Sequence, residues 1–187
     1  EVLIAPNFER DALTVLQTKK NRILLQQKMF DFPAQQYKSM LNGVLVQDRN
    51  NKSTALHELK YVTEVRPTDN QLQDLLFAEI AVKHLKSNGI ALVKNGQLIG
   101  CRTGQTSRVD ALNQAIAKAR AFGFDVAGSV MASEAFFPFP DCVQIAYEAG
   151  ITAVIQPGGS IRDKDSIDYC NANGMAMVLS GTRHFKH

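Results

Sequence analysis

Three stretches of the sequence combine residue types suited to flat or anionic ligands, and each follows an apolar run that reads as a strand. The first, residues 133–141, sets Phe136, Phe137 and Phe139 among Pro138 and Pro140 and ends on Asp141. Phenylalanine rings supply either a rigid loop packed on the core or a flat apolar wall for an aromatic ligand. Asp141 suits a helix N-cap, and its carboxylate can also accept hydrogen bonds from a 2-aminopyrimidine-type ring. The second, Gln156-Pro157-Gly158-Gly159-Ser160, has two adjacent residues without a Cβ, so backbone can approach a ligand closely. An ordinary strand-to-helix turn fits it as well, because it matches neither the dinucleotide glycine fingerprint nor the phosphate loop. The third is Arg183-His184-Phe185-Lys186-His187. It is either a solvated basic end or an anion site in which Arg183 offers a planar fork to phosphate. Apart from these, Asn88 reads as a helix stop or as a carboxamide that holds a substrate amide. Ser107-Arg108 reads as an N-cap followed by a surface cation.

Composition narrows the partners. Lys and Arg number 21 against 18 Asp and Glu, a net charge of +3, which gives no sign of nucleic acid or membrane as a partner. No apolar run approaches the ~18 residues of a spanning helix. Cys101, Cys142 and Cys170 have no metal spacing and read as reduced thiols of a cytoplasmic protein. No Ser-His-Asp order and no paired carboxylates stand out. The 187 residues suit one domain with a small second lobe. Because the chain reads as a strand from Val2, it is expected to be a piece of something longer.

The elements that must position these residues follow from periodicity. Val2–Ala5, a helix over Phe8–Lys20 and Ile23–Leu25 suggest a parallel pair with a crossover. Residues 28–42 read as irregular, followed by a strand at Gly43–Asp48. Thr68 and Gln71 have the spacing of a capping box, opening a helix that runs to about Lys86 with Asn88-Gly89 as a left-handed stop. Asn95-Gly96 between two apolar runs predicts a hairpin of Ile90–Val93 with Gln97–Cys101. An Ala-rich helix covers Arg108–Phe122. Strands at 127–132, 152–155 and 175–179 then alternate with helices at 141–149 and 163–172. Their continuous apolar runs require cover on both faces, so the fold class is α/β, a three-layer α/β/α sandwich. In such sheets ligands sit at the carboxyl ends of the strands.

Six ordered segments carry a family resemblance: Lys86-Ser87-Asn88-Gly89-Ile90, Lys94–Gly100, Gly104–Asp110, Ser133–Asp141, Ile155–Asp163 and Arg183–His187. Together they resemble the C-terminal part of the transformylase in the bifunctional AICAR transformylase/IMP cyclohydrolase family, over essentially the whole chain. The resemblance implies transfer of a formyl group from 10-formyltetrahydrofolate to the amino group of AICAR in purine (IMP) biosynthesis. It further implies a cytidine-deaminase-like fold without catalytic zinc or other metal, a homodimer, and a cytoplasmic location. Residues 1–60 would form the end of a first lobe and a connection, and residues 61–187 a second lobe.

By the same resemblance, Asn88 would hold the AICAR carboxamide and assist transfer. Phe136 would contact the AICAR ring and Arg183 its phosphate, with His187 near the reaction. Arg108, Val109, Phe139, Asp141, Gly158 and Gly159 would contact the folate, Asp141 at the pterin. The family's Lys-His pair, in a Lys-His-x-x-Pro-x-Gly stretch, is absent: Lys83-His84 is followed by Leu85-Lys86-Ser87-Asn88. That histidine would be the general base. The chain alone is therefore expected to be inactive and to need the remainder of the transformylase domain. The other reading is a stand-alone nucleotide- or folate-binding α/β module without catalysis.

Overall fold

The computed structural model describes residues 2–29 and 31–186. It divides into two compact units, Glu1–Asn50 and Asn51–His187. The sequence placed this change at 60/61. The division falls earlier because residues 51–61 are built into the second unit: the Thr54 hydroxyl donates to Glu79 at 2.7 Å, and Leu59 is buried in the core.

In the first unit, β1 (Val2–Ala5) pairs in parallel with β2 (Ile23–Gln26) through helix α1 (Arg10–Leu16), as the spacing predicts. The helix is shorter than expected, so Lys19 and Lys20 do not complement its end. The Arg22 side chain instead donates to the Leu16 carbonyl at 2.7 Å. Residues 28–42 are not wholly irregular. Strand β3 (Gln35–Met40) forms a hairpin with β4 (Gly43–Asp48). Its polar sequence lacks apolar alternation, which is why periodicity misses it; the turn holds Leu41 at φ 41°.

The second unit is a six-stranded sheet. Its strands are β5 (Lys60–Tyr61), β6 (Ile90–Lys94), β7 (Gln97–Arg102), β8 (Val130–Ser133), β9 (Ala153–Gln156) and β10 (Ala176–Leu179), in the order β5-β10-β9-β8-β6-β7. Side chains alternate between two cores, as a period of two requires. Ala91, Val93, Val130, Ala132, Ile155 and Val178 meet helix α2 (Asp69–Lys83) through Leu72, Leu75, Ala78 and Val82. Ile90, Leu92, Met131, Val154 and Met177 face α3 (Arg108–Ala121), α4 (Asp141–Glu148) and α5 (Asp163–Ala172). The three-layer α/β/α expectation is met in this unit. Gly100 is required by packing, because a Cβ there would lie 2.6 Å from the Ala115 carbonyl oxygen.

Local signals act as read. The Thr68 hydroxyl accepts from the Gln71 N–H at 3.3 Å, and the Gln71 side chain accepts from the Thr68 N–H at 2.8 Å. The Asn95-Gly96 turn has φ 53° and 71°, and both its N–H groups donate to the Asp74 carboxylate at 2.7 Å. The α2 stop is different from the expected one. The helix ends at Lys83, and neither Asn88 nor Gly89 is left-handed. Gly89 is needed for space, since a Cβ would lie 2.9 Å from that of Leu85.

Candidate functional site

Strands β8, β9 and β10 are parallel and end at one edge of the sheet. Strand β6 runs antiparallel to β8, with Ile90 opposite Ser133, and β7 runs antiparallel to β6, with Arg102 opposite Ile90. The start of β6 and the end of β7 therefore join the same edge. The Asn88 segment, the 103–108 connection, the 133–141 loop, the 156–160 loop and the tail after β10 all open there. Helices α3, α4 and α5 also begin there, each with an acidic residue in its first turn: Asp110, Asp141 and Asp163. These acids occupy the favourable end of the helix dipoles. Arg162 is paired with Asp165 at 2.6 Å, so positive charge available at the edge depends on Arg183.

The three phenylalanines of the 133–141 loop divide their work. Phe137 is fully buried in the core, Phe136 is half-buried, and Phe139 is exposed. The Arg183 guanidinium carbon lies 4.7 Å from the centre of the Phe136 ring, and that of Arg162 lies 4.9 Å from Phe139. Both are cation–π distances. Gly159, at φ 95°, completes the first cluster: a Cβ there would be 3.2 Å from Arg183 Nη2. The Gly159 and Ser160 N–H groups donate to Asp163 Oδ2 at 2.6 and 3.2 Å. Gly158 lies against Leu179, whose Cδ1 would be 2.9 Å from an added Cβ.

Asn88 is tied to the loop after β7. Its backbone exchanges two hydrogen bonds of 3.1 Å with Gln105. Its Nδ2 donates to the carbonyls of Gln105 and Thr106 at 3.0 and 3.2 Å. The tail returns to this segment: Ser87 N–H donates to the Lys186 carbonyl at 2.8 Å, and Lys186 N–H to Ser87 Oγ at 3.3 Å. His187 lies outside the described residues.

Two expectations about charged residues change. Arg108 is no surface cation. Its Nη2 is 3.1 Å from Glu134 Oε2 and its Nε donates to Ser133 Oγ at 3.1 Å, with side chains only 12% and 0% exposed for Arg108 and Glu134. Ser107 does cap α3, accepting from the Asp110 N–H at 3.0 Å, and Val109 packs partly buried against the core. Asp141 is not an N-cap: Pro140 holds that place, and Asp141 opens the helix with Oδ1 accepting from the Cys142 N–H at 2.8 Å. Burial, with the charge of Asp141 added, pushes the Cys142 thiol up to about 12.

Sequence reasoning passed over three buried polar groups that hold this edge. Gln156 accepts from the N–H groups of Phe137 and Gly158, at 3.3 and 3.4 Å, and so links two of the loops. Glu134 joins Arg108 to the start of β6. Glu79 of α2 lies 3.7 Å from His184 Nε2 and accepts from Thr54. Burial pushes the Glu79 carboxyl up, but hydrogen bonds with His184, Thr54 and Ser180 outweigh it and hold the group below its ordinary value. The available signal was a charged or amide side chain inside an otherwise apolar run, which must be paired when buried. Among the described residues no group of three or more His, Cys, Asp or Glu is placed to hold a metal ion. Nor is any helix among them long and apolar enough to cross a membrane.

The family model of the AICARFT/IMPCHase bienzyme matches residues 1–118. The chain belongs to this family. Among bienzyme relatives, the bifunctional purine biosynthesis protein PurH of Bacteroides thetaiotaomicron is 57% identical over 187 residues, all of this chain and 37% of that protein. The PurH of Persephonella marina is 50% identical over 190 residues, again all of this chain and 36% of that protein. The chain thus spans little more than a third of the length of these bienzyme relatives. Similar solved structures include the dCMP deaminase of cyanophage S-TIM5, at a TM-score of 0.41 and 19% identity, covering 60% of this chain and 98% of that one. A Thermotoga maritima diaminohydroxyphosphoribosylaminopyrimidine deaminase/reductase matches at a TM-score of 0.38 and 19% identity, over 57% and 34% of the two chains.

Proposed function

We propose that this chain is the C-terminal part of the AICAR transformylase domain of its bienzyme, and that the sheet edge described above is its share of the formyl-transfer site. The observation that carries this reading is the convergence of Asn88, Arg108, Val109, Phe136, Phe139, Asp141, Gly158, Gly159 and Arg183 on that one edge. They come from segments up to 95 residues apart. The Phe136–Arg183 pair offers the AICAR base a face and its phosphate a fork. Asn88 has its nitrogen committed to the 105–106 loop, which turns the carbonyl end of its carboxamide into the acceptor for AICAR's amide. Phe139, Asp141 and the Gly158-Gly159 backbone serve the pterin of 10-formyltetrahydrofolate, with Asp141 accepting from its amino group.

Formyl transfer needs the weakly nucleophilic amine of AICAR to lose a proton as it attacks the formyl carbon. The general base is the family's Lys-His pair, supplied by the remainder of the transformylase domain, and a second subunit completes the site. The chain's own residues bind and orient the two flat substrates. The chain alone, assayed with AICAR and 10-formyltetrahydrofolate, gives no turnover; robust turnover would refute this division of labour. In the whole bienzyme, Asn88→Ala lowers formyl transfer and leaves cyclohydrolase activity intact.

A further inference from the structure

We infer that Glu134 is the positioning residue of this edge: its side chain sets Asn88 and Arg108 relative to one another, and its backbone carbonyl holds the Arg183 tail beside them. This rests on the formyl-transfer reading for its kinetic arm. Glu134 is fully buried, with 0% exposure, in the step from β8 into the Phe136 loop. Its Oε1 accepts from the Gly89 N–H at 3.2 Å, immediately after Asn88. Its Oε2 is 3.1 Å from Arg108 Nη2, and its Oε1 3.4 Å. Its own carbonyl accepts from the His184 N–H at 2.9 Å, immediately after Arg183. One residue therefore bonds directly to all three segments, and Phe136 stands two positions further on.

Stability alone does not call for a carboxylate there. A well-packed apolar side chain of similar volume is often neutral or better than a buried ion pair. An apolar side chain cannot orient a guanidinium or fix the Gly89 N–H. Arg108, paired on one side by Glu134 and Ser133, presents the rest of its planar fork in a set direction. The carboxylate is enclosed by these donors, so Glu134 acts through its neighbours and is a positioning residue.

The test compares Glu134→Gln and Glu134→Asp with the unaltered protein. In this chain, the Arg108 Nη–H and Gly89 N–H resonances are followed by NMR for shift and exchange protection. In the whole bienzyme carrying the chain, KM for each substrate and kcat are measured. Glu134→Gln turns an amide donor toward Arg108. The Arg108 resonances should shift and lose protection, Gly89 N–H should shift while keeping the amide oxygen as its acceptor, and the folate KM should rise roughly ten- to hundredfold, the scale of a lost charged hydrogen bond. Glu134→Asp keeps the charge and should restore part of the affinity; it also carries the test if Glu134→Gln does not fold. A merely structural role lowers kcat with the folded fraction and leaves both KM values unchanged. That result, or wild-type resonances and KM values within about twofold in folded Glu134→Gln, would overturn the inference. An unaltered bienzyme without formyl transfer would defeat the functional reading instead, and the NMR comparison would still decide whether Glu134 positions Arg108.

Discussion

Residues 1–50 and 51–187 use the same kinds of strand pairing but differ in what covers them. Among the described residues of the first unit none is buried: Ile4 is 65% exposed and Val44 61%, although β1–β2 and β3–β4 are regularly paired. In the second unit, Val130, Met131 and Ala132 of β8 are fully enclosed between α2 and α3. Ladder hydrogen bonds form in both regions, yet a two-stranded sheet without a packed face is marginal in water. Most of the stabilisation comes from apolar area removed from water, about 25 cal/mol per Å2, and only the second unit removes it on both faces. Element formation and element stability are separate achievements of a sequence.

The contrast is open to breakage at several points. Leu75→Ala or Met177→Ala should cost about 2–5 kcal/mol of unfolding free energy, whereas Ile4→Ala or Val44→Ala should stay within about 0.5 kcal/mol. Denaturant titration measures both, and equal losses would mean that the first unit is covered in the folded protein. A polar test inside the second unit is Glu79→Gln, which weakens the bonds to Thr54 and His184 and should cost roughly 1–3 kcal/mol near pH 7. Because folding lowers the Glu79 carboxyl from its ordinary 4.5, its contribution is full above that value and fades as pH falls through the lowered one. The gap between variant and wild-type melting temperatures should therefore close in acid; a pH-independent gap would contradict the ionised cluster. A third test asks whether the second core is intact without the first unit. Burial pushes both Cys142 and Cys170 up to about 12, so they should resist alkylation near neutral pH with or without residues 1–50. Half-buried Cys101 should be modified first. Rapid labelling of all three would show that the core opens. Last, Arg183→Lys should lower melting by the equivalent of only about 0.5–1 kcal/mol, since the stack on Phe136 is at an exposed site. Phosphate-ligand affinity, measured by calorimetry, should fall with it.

Much of the second unit was legible because its signals are local. Thr68 and Gln71, Asn95-Gly96 and Ser107 act through bonds within a few residues, and the apolar runs at 127–132, 152–155 and 175–179 announce two-sided cover. Position along the sheet then follows from chain order, which puts the three candidate loops at strand ends. What escaped depends on distant partners. Arg108 looked like a solvated cation because Glu134, 26 residues away, is invisible to periodicity. Asn88 resembled a helix stop because Asn-Gly has that habit, whereas its bonds run to Gln105 and Thr106. Strand β3 escaped because Gln35–Met40 carries no apolar alternation and gains its shape from β4 alone.

The bond between Ser87 and Lys186 spans 99 positions of chain. Ribosomes add roughly 5–20 residues per second. Asn88 and its neighbours are therefore made about 5–20 seconds before the tail that bonds to Ser87. Through that interval the strands and loops that build the rest of the edge, β7 to β10, are themselves being made, so the Ser87 bonds to the tail form only after them.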